Sequence, residues 1–399
     1  MPIIWHAVYA VFFVPQNKSN DRGHMNKLTE SDHQFLERAI ALAMIPVGSV
    51  SPNPYVGAVI VKEGNIIGEG FHAKSGTAHA EVVAIQNAKN NHESTVGATI
   101  YVSLEPCCHY GKTGPCTEAI LNAGITKVVY ATQDPNPSVA GKGEAFLVTN
   151  GIEAVCANLE SARQINKIFF HNQLTQSPFV TLKAAMSLDG KIASKSGDSQ
   201  WITGNEARLK GHQLRAEHDA ILIGKKTLLN DDPNLTVRIP NQNYPNPIRV
   251  LLLRNFNGIE HANYQLFNTD IAPTWIIYPK NQSIHETLKA ELMAKNVRLI
   301  ELQDDEIIVD SVLTQLYEEK IMSVLLEGGS SIYNAFITAQ KVDEFALFYG
   351  PRLIGDAKAP SLWDHSNITD LSEAPILSIH VTEKLGNSIY VQATLKEVE

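Results

Sequence analysis

The sequence predicts two α/β domains in tandem, and three observations carry that expectation. The chain has 399 residues, more than one hydrophobic core ordinarily serves. Helix-period patterns alternate with strand-like apolar runs in both halves. Between the two series lies a polar stretch ending in proline, Asn172 to Pro178.

The first segment is the exception. Ile3 to Val14 is apolar but contains His6 and is too short to span a bilayer. No Lys or Arg precedes it, which disfavours a signal peptide. Met25 stands just before the first helical pattern. Met25 is therefore expected to be the natural start, with residues 1–24 an upstream extension without a fold.

The first domain is expected over 25–172. Phe35, Leu36, Ala39, Ile40 and Ala43 recur at helical spacing until Pro46. Val56 to Val61 is a continuous apolar run, the pattern of a strand buried on both faces. Glu63-Gly64-Asn65 turns into a return strand at Ile66. A helix over His79–Ala88, a strand over Thr99–Ser103, a helix over Cys116–Ala123 stopped by Gly124, and a strand over Val128–Thr132 follow.

After a linker at 173–178, the second domain is expected over 179–399. It opens with a strand at Phe179–Ala185, a helix at Asn205–Glu217 and strands at Ala220–Ile223 and Ile248–Leu253. Further strands are read at Thr274–Tyr278, Val297–Leu302 and Ser323–Leu326, then a helix at Ser331–Ala339. A hairpin turning at Gly386-Asn387 closes the chain.

The bulk numbers narrow the function. Apolar residues are 44% and charged residues 19% with mixed signs, which excludes wholesale disorder. A net charge of -9 disfavours a general nucleic-acid binder but leaves room for a small anionic substrate held by a few cations. No membrane association is expected. Three of the four cysteines crowd between Cys107 and Cys116. In a large enzyme-like chain such clustering reads as metal binding in a reducing, cytoplasmic compartment.

The strongest chemistry lies there. His79-Ala80-Glu81 is followed by Pro106-Cys107-Cys108-His109-Tyr110-Gly111-Lys112-Thr113-Gly114-Pro115-Cys116. One imidazole and two thiolates suit Zn2+, and three protein ligands leave a fourth position for water. Zinc lowers the pKa of such a water to about 7. Glu81 is the candidate proton shuttle between that water, a ring nitrogen and departing ammonia. Residues two apart do not share a face in mid-helix, so His79 and Glu81 make sense only at a helix start. Cys116 also opens a helix, and two helix N-termini near the metal would favour thiolate. A structural site would instead recruit a fourth side chain, with Cys108 or His109 the candidates. Cys156, in an apolar strand, reads as core.

This spacing resembles the H-x-E…P-C pattern of zinc-dependent base deaminases. It departs from that pattern in having eight residues between Cys107 and Cys116. The variant, with Pro52-Asn53-Pro54-Tyr55-Val56-Gly57-Ala58-Val59-Ile60-Val61 upstream, is similar to the deaminase half of the bifunctional riboflavin-biosynthesis deaminase–reductases. Thr181 to Lys191, Ser199 to Thr203, Asn230 to Arg238 and Glu327-Gly328-Gly329 resemble the reductase half.

The resemblance implies a cytidine-deaminase-like three-layer α/β/α domain followed by a dihydrofolate-reductase-like α/β domain. It implies Asn53 as a ring contact, and His72, His109 and Lys112 as ribose-phosphate contacts. For NADPH it implies Ala185, Trp201, Thr227, Asp231 and the run Gly329, Ser330, Ser331, Ile332, Tyr333, Asn334 and Ala335. For the sugar-phosphate substrate it implies Lys183, Ser199, Arg215, Leu235, Arg238 and Glu327. A phosphorylated aminopyrimidine substrate and a homo-oligomer follow from the same likeness. Read from residues alone, Trp201 could equally be core, His72 a surface residue and Asp231-Asp232-Pro233-Asn234 a turn.

The expected function is therefore hydrolytic deamination of a diaminopyrimidine ribosyl phosphate, then NADPH-dependent reduction of the ribosyl group. Two rivals stay open at this point. One is another zinc deaminase, acting on a nucleoside or tRNA; the other is a zinc-stabilised binding protein without turnover. A fourth side chain closing the metal site, or wide separation of His79, Cys107 and Cys116, would contradict the hydrolytic reading.

Overall fold

The computed structural model describes residues 28–110, 114–137, 139–364 and 368–396. The expected extension 1–24 and Lys112 lie outside the described residues. Helix α1 (Glu30–Ala43) begins at a capping box: Thr29 Oγ1 accepts from Asp32 N at 3.2 Å, and Asp32 accepts from Thr29 N at 2.8 Å. Tyr101 donates to the same Asp32 at 2.6 Å, tying the helix to the sheet beneath.

That sheet comprises β1 (Gly57–Lys62), β2 (Asn65–Phe71), β3 (Thr99–Val102), β4 (Lys127–Tyr130) and β5 (Glu153–Cys156), ordered β2-β1-β3-β4-β5. β1 pairs antiparallel with β2 and β3, whereas β3, β4 and β5 run parallel. The apolar run in β1 serves both faces. Ala58 and Ile60 pack with Ala80, Ala84 and Ala88 of α2 (Ala80–Asn90), while Val59 and Val61 pack with Leu36, Ala39 and Leu42 of α1. The three expected layers result.

Glycine makes the close helix approach possible. A Cβ on Gly57 would fall 2.0 Å from the Ala39 carbonyl, and one on Gly70 would fall 2.5 Å from that of Ala80. Helices α3 (Cys116–Asn122), α4 (Lys142–Thr149), α5 (Glu160–Ile165) and α6 (Lys167–Thr175) complete the domain. Because α6 runs to Thr175, the connection is shorter than the expected 173–178. Asn172 is buried in that helix, and its amide donates to Ser177 O at 2.7 Å and Met322 O at 2.9 Å.

The second domain contains β6 (Phe179–Ser187), α7 (Asn205–Glu217), β7 (Ala220–Gly224), α8 (Lys225–Asp231), β8 (Ile248–Leu252), β9 (Thr274–Tyr278), α9 (Glu286–Ala294), β10 (Arg298–Glu301), α10 (Val309–Glu318), β11 (Ser323–Leu326), α11 (Ser330–Thr338), β12 (Glu344–Gly350), β13 (Leu377–Leu385) and β14 (Ser388–Leu395). The sheet order is β10-β9-β8-β7-β11-β6-β12-β14-β13, parallel except for β14, which runs against β12 and β13. Helices cover both faces, giving two cores. The chain steps outward from β6 to β10 and then returns to insert β11 beside β6. This reversal opens a crevice at the carboxyl ends of β6, β7 and β11, the place where open α/β sheets bind ligands.

Strand β12 had no counterpart in the sequence expectations. It begins with an acid, Glu344, which is 4% exposed. The burial is tolerated because Lys167 of the first domain pairs with it and Gln392 donates to it at 2.6 Å. Among the described residues, no helix is long and apolar enough to cross a membrane.

Arg249 on β8 is fully buried without a carboxylate partner in hydrogen-bond reach among the described residues. Its guanidinium donates to the carbonyls of Asn234 (3.3 Å), Gln265 (3.5 Å), Asn268 (2.7 Å) and Ala272 (2.6 Å). Arg249→Met should strand those acceptors and lower stability by on the order of 3 kcal/mol. The midpoint of chemical denaturation checks this; an unchanged midpoint would reject it.

Candidate active sites

The first site forms where two helices begin. His79 is the N-cap of α2, with extended backbone at φ -75 and ψ 161, and Glu81 lies in the first turn. Cys107 lies in the loop after β3, and Cys116 is the first residue of α3. His79 Nδ1 stands 3.2 Å from Cys116 Sγ and 3.5 Å from Cys107 Sγ, and all three donor atoms lie within 4.8 Å of one another. Ligand atoms sharing a tetrahedral zinc stand roughly 3.5–3.8 Å apart, so the set fits that ion with little movement. Among the described residues, no fourth side chain joins the group. Cys108 is outside it and His109 is exposed.

Glu81 is 3% exposed and shares a hydrogen bond with Cys116. Burial, reinforced by the neighbouring Cys107, pushes its carboxyl up to about 7. A hydrogen bond from Cys116 brings the Cys107 thiol down to about 4 against its burial, with a second hydrogen bond from His79. Thiolate is thus favoured on Cys107, whereas the hydrogen bond to Cys107 and burial push the Cys116 thiol up, and Glu81 is left where it can both take and return a proton near neutral pH.

Asn53 and His72 meet at the edge of this pocket. His72 is buried rather than on the surface. Its Nδ1 lies 3.1 Å from Ala78 O, which only accepts, so Nδ1 carries the proton. Its Nε2 then accepts from Asn53 Nδ2 at 2.9 Å. With both ring nitrogens engaged, His72 is arranged to orient Asn53, and no spare donor remains for a phosphate.

The second site is the crevice of the other sheet, a cleft of about 540 Å³ lined by Trp201, Thr227, Asp231, Leu235, Arg238, Arg215 and Glu327 among others. Trp201 is 60% exposed and stacks beneath the Arg208 guanidinium at 4.3 Å, so it is not core. Asp231 ends α8, and Leu235 holds a positive φ of 49. Arg215 grips Glu327 in bidentate fashion, Nε–Oε1 2.6 Å and Nη2–Oε2 2.8 Å, and donates to Thr236 O at 2.9 Å. Lys183 approaches Glu327 at 3.5 Å. Burial alone would raise the Glu327 carboxyl, but Arg215 and Lys183 outweigh it and hold it at about 2. Arg238 donates to Thr236 Oγ1 at 2.6 Å.

The expected cofactor run 329–335 divides. Gly329 caps α11 with φ 67, beside Thr227. Ile332, Tyr333 and Asn334 are buried; Tyr333 donates to Lys183 O at 2.7 Å, and Asn334 accepts from Asp364 N at 3.0 Å. The amides of Ile332 and Tyr333 are already bonded to Gly329 O. Backbone donors for a phosphate are thus confined to Gly329, Ser330 and Ser331. Neither Ser199 nor Ala185 lines the cleft, although Gln200 next to Ser199 does.

Sequence reasoning missed His212, whose Nδ1 accepts from Arg238 N at 3.3 Å. Burial and the flanking Arg215 and Arg238 push its imidazole down to about 4. Its position three residues before Arg215 on one helix was the available signal.

Comparison with known proteins agrees with this geometry. Residues 29–132 match the cytidine and deoxycytidylate deaminase zinc-binding region, and residues 178–391 match the RibD C-terminal domain. The riboflavin biosynthesis protein RibD of Bacillus amyloliquefaciens is 41% identical over 92% of this chain and 97% of its own length. The chain belongs to the RibD family. The Escherichia coli member is 37% identical over 90% of this chain and 98% of its own length. The solved Acinetobacter baumannii RibD superposes with a TM-score of 0.81 at 34% identity, covering 92% of this chain and 99% of that one. A Thermotoga maritima deaminase/reductase gives 0.80 at 35% identity with the same coverage.

As a RibD-family chain it is a bifunctional enzyme of riboflavin biosynthesis, a zinc-binding deaminase joined to an NADPH-dependent reductase. Neither rival is favoured. A nucleoside or tRNA deaminase leaves residues 178–391 without a role, and a non-catalytic binding protein leaves both sites without one.

Proposed function

We propose that this chain removes the 2-amino group of 2,5-diamino-6-(5-phosphoribosylamino)pyrimidin-4-one as ammonia. It then reduces the ribosyl group of 5-amino-6-(5-phosphoribosylamino)uracil to ribityl. The observation that carries the reading is the three-ligand cluster of His79, Cys107 and Cys116 with a buried carboxyl, Glu81, against it.

His79, Cys107 and Cys116 would hold zinc, which supplies a Lewis acid and an activated water at neutral pH. Glu81 accepts the water proton and returns protons to the ring nitrogen and the departing amine. Asn53, oriented by His72, contacts the pyrimidine. The exposed His109 is left as a phosphate contact, together with Lys112.

In the cleft, NADPH supplies the hydride. The amides of Gly329, Ser330 and Ser331 would hold its phosphates, and Trp201, Thr227 and Asp231 of the cleft lining would hold the rest of the cofactor. Glu327 fixes Arg215, and Arg238 with Lys183 completes a cationic wall for the ribose phosphate. Leu235 flanks the substrate from the cleft wall. The four free cysteines support a cytoplasmic setting, and the exposed Ile376 and Ile379 support self-association.

The test is to incubate the purified protein with the diaminopyrimidine phosphate, with and without NADPH, and weigh the products. Without NADPH the deaminated uracil and ammonia should accumulate; with it, a product heavier by two hydrogens. Unaltered substrate would overturn the reading. Arg238→Ala should raise the reductase KM for its sugar phosphate about 10- to 100-fold with little change in the KM for NADPH. Steady-state kinetics checks this, and equal KM values in mutant and parent would reject the assignment.

A further inference from the structure

The segment carrying Asn53 is held from both domains. On its own side, Asn166 accepts from Tyr55 N at 2.7 Å and donates to Tyr55 O at 2.9 Å. From the reductase side, Asp219 accepts from Ser51 Oγ at 2.9 Å. That carboxylate is itself anchored, since the same oxygen accepts from Met322 N at 2.8 Å and Ser323 N at 3.1 Å at the head of β11. The approach is close along the segment: a Cβ on Gly48 would fall 2.6 Å from the Ala216 carbonyl at the end of α7. Asn53 sits two residues beyond Ser51 and between the two grips.

From Asn53 the contacts run inward. Asn53 N donates to Val50 O at 2.9 Å, closing a turn around Ser51 and Pro52. Asn53 Nδ2 meets His72, and the His72 ring packs edge-on against the His79 ring at 5.4 Å. A continuous set of contacts therefore leads from a reductase-domain carboxylate to the rim of the metal cluster.

We propose that the Ser51–Asp219 hydrogen bond is a positioning contact for deamination, through which the reductase domain sets the placement of Asn53 in the deaminase pocket. This rests on the reading of Asn53 as the pyrimidine contact. Ser51 and Asp219 touch no substrate; they act through Asn53. The deaminase pocket is thus completed by its neighbour. A hydroxyl–carboxylate hydrogen bond in a partly buried seam is strong enough to bias a short loop between two placements.

The test compares Ser51→Ala, Ser51→Thr, Asn53→Ala and the Ser51→Ala/Asn53→Ala double variant in the full-length zinc enzyme. Deaminase kinetics, reductase kinetics and melting temperature are measured on each preparation. Ser51→Ala should raise the deaminase KM about five- to tenfold with kcat within about twofold of the parent. Reductase constants should not change, and Ser51→Thr should restore the KM. The double variant should be no worse than Asn53→Ala, since the contact acts only through that residue.

A Ser51→Ala enzyme with the parent's deaminase KM, beside an impaired Asn53→Ala, would overturn the coupling and leave the Asn53 reading standing. An unimpaired Asn53→Ala would overturn the Asn53 reading and the coupling with it. Parallel loss of both activities with a lowered melting temperature in Ser51→Ala would also overturn the proposal, because the contact would then be only structural.

Discussion

Glu81→Gln is expected to slow ammonia release about a thousandfold while leaving zinc content and the reductase rate at parental values. The amide keeps the size of the carboxyl, so the turn at the start of α2 and the neighbouring Cys116 need not move. It cannot carry a proton between water, ring nitrogen and leaving amine. His79, Cys107 and Cys116 are untouched, so metal analysis should still find the ion. NADPH oxidation supplied with the deaminated uracil reads the second site independently. A variant that releases ammonia at the parental rate would leave Glu81 without a catalytic role.

The second large effect is expected at Glu327, where Arg215 and Lys183 converge on a carboxylate that is 5% exposed. Glu327→Gln should destabilise the protein by about 3–5 kcal/mol, because Arg215 is left buried without its counter-charge. The reductase should also lose most of its activity, since Arg215 would no longer be fixed at the cleft.

The same carboxylate makes an acid-stability prediction with a definite sign. Its folded value of about 2 lies below the ordinary 4.5. The contribution is therefore full above pH 4.5 and disappears as the pH falls towards 2. Its size is on the order of 3 kcal/mol. Denaturation midpoints between those two pH values should fall in the parent and stay flatter in Glu327→Gln. Parallel curves for the two proteins would contradict the assignment.

Much of the deaminase site was legible because its chemistry is local. His79 and Glu81 are two residues apart, and in a segment that reads as helical they can serve a single ion from the helix start but not from its middle. The structure has that start at Ala80. Cys116 at the head of α3 was legible for the same reason. Strand β1 announced its burial through four consecutive apolar positions after Gly57, Ala58 to Val61, and both neighbouring helices use them.

Other parts were not legible, because they depend on what meets what. His72 reads equally as a surface residue or a phosphate contact until its ring meets Ala78 O and Asn53. The run 329–335 looks uniform as a string, yet one turn of helix turns Ile332, Tyr333 and Asn334 inward and leaves three amides outward. His212 meets its partner Arg238, far along the chain, only in the folded protein, and β12 hides behind an acid whose partners Lys167 and Gln392 belong to distant segments.

By itself the sequence determined which residue types stand ready for metal and proton chemistry, and that two α/β units share the chain. These follow from spacing along a helix or strand, where the backbone repeat dictates which side chains are neighbours. Only the tertiary structure decided that Asn53 is gripped from the reductase side, that Arg215 is bound to Glu327, and that three side chains form the metal cluster without a fourth among the described residues. Those outcomes depend on contacts between residues distant in sequence, and no periodicity encodes a distance across an interface.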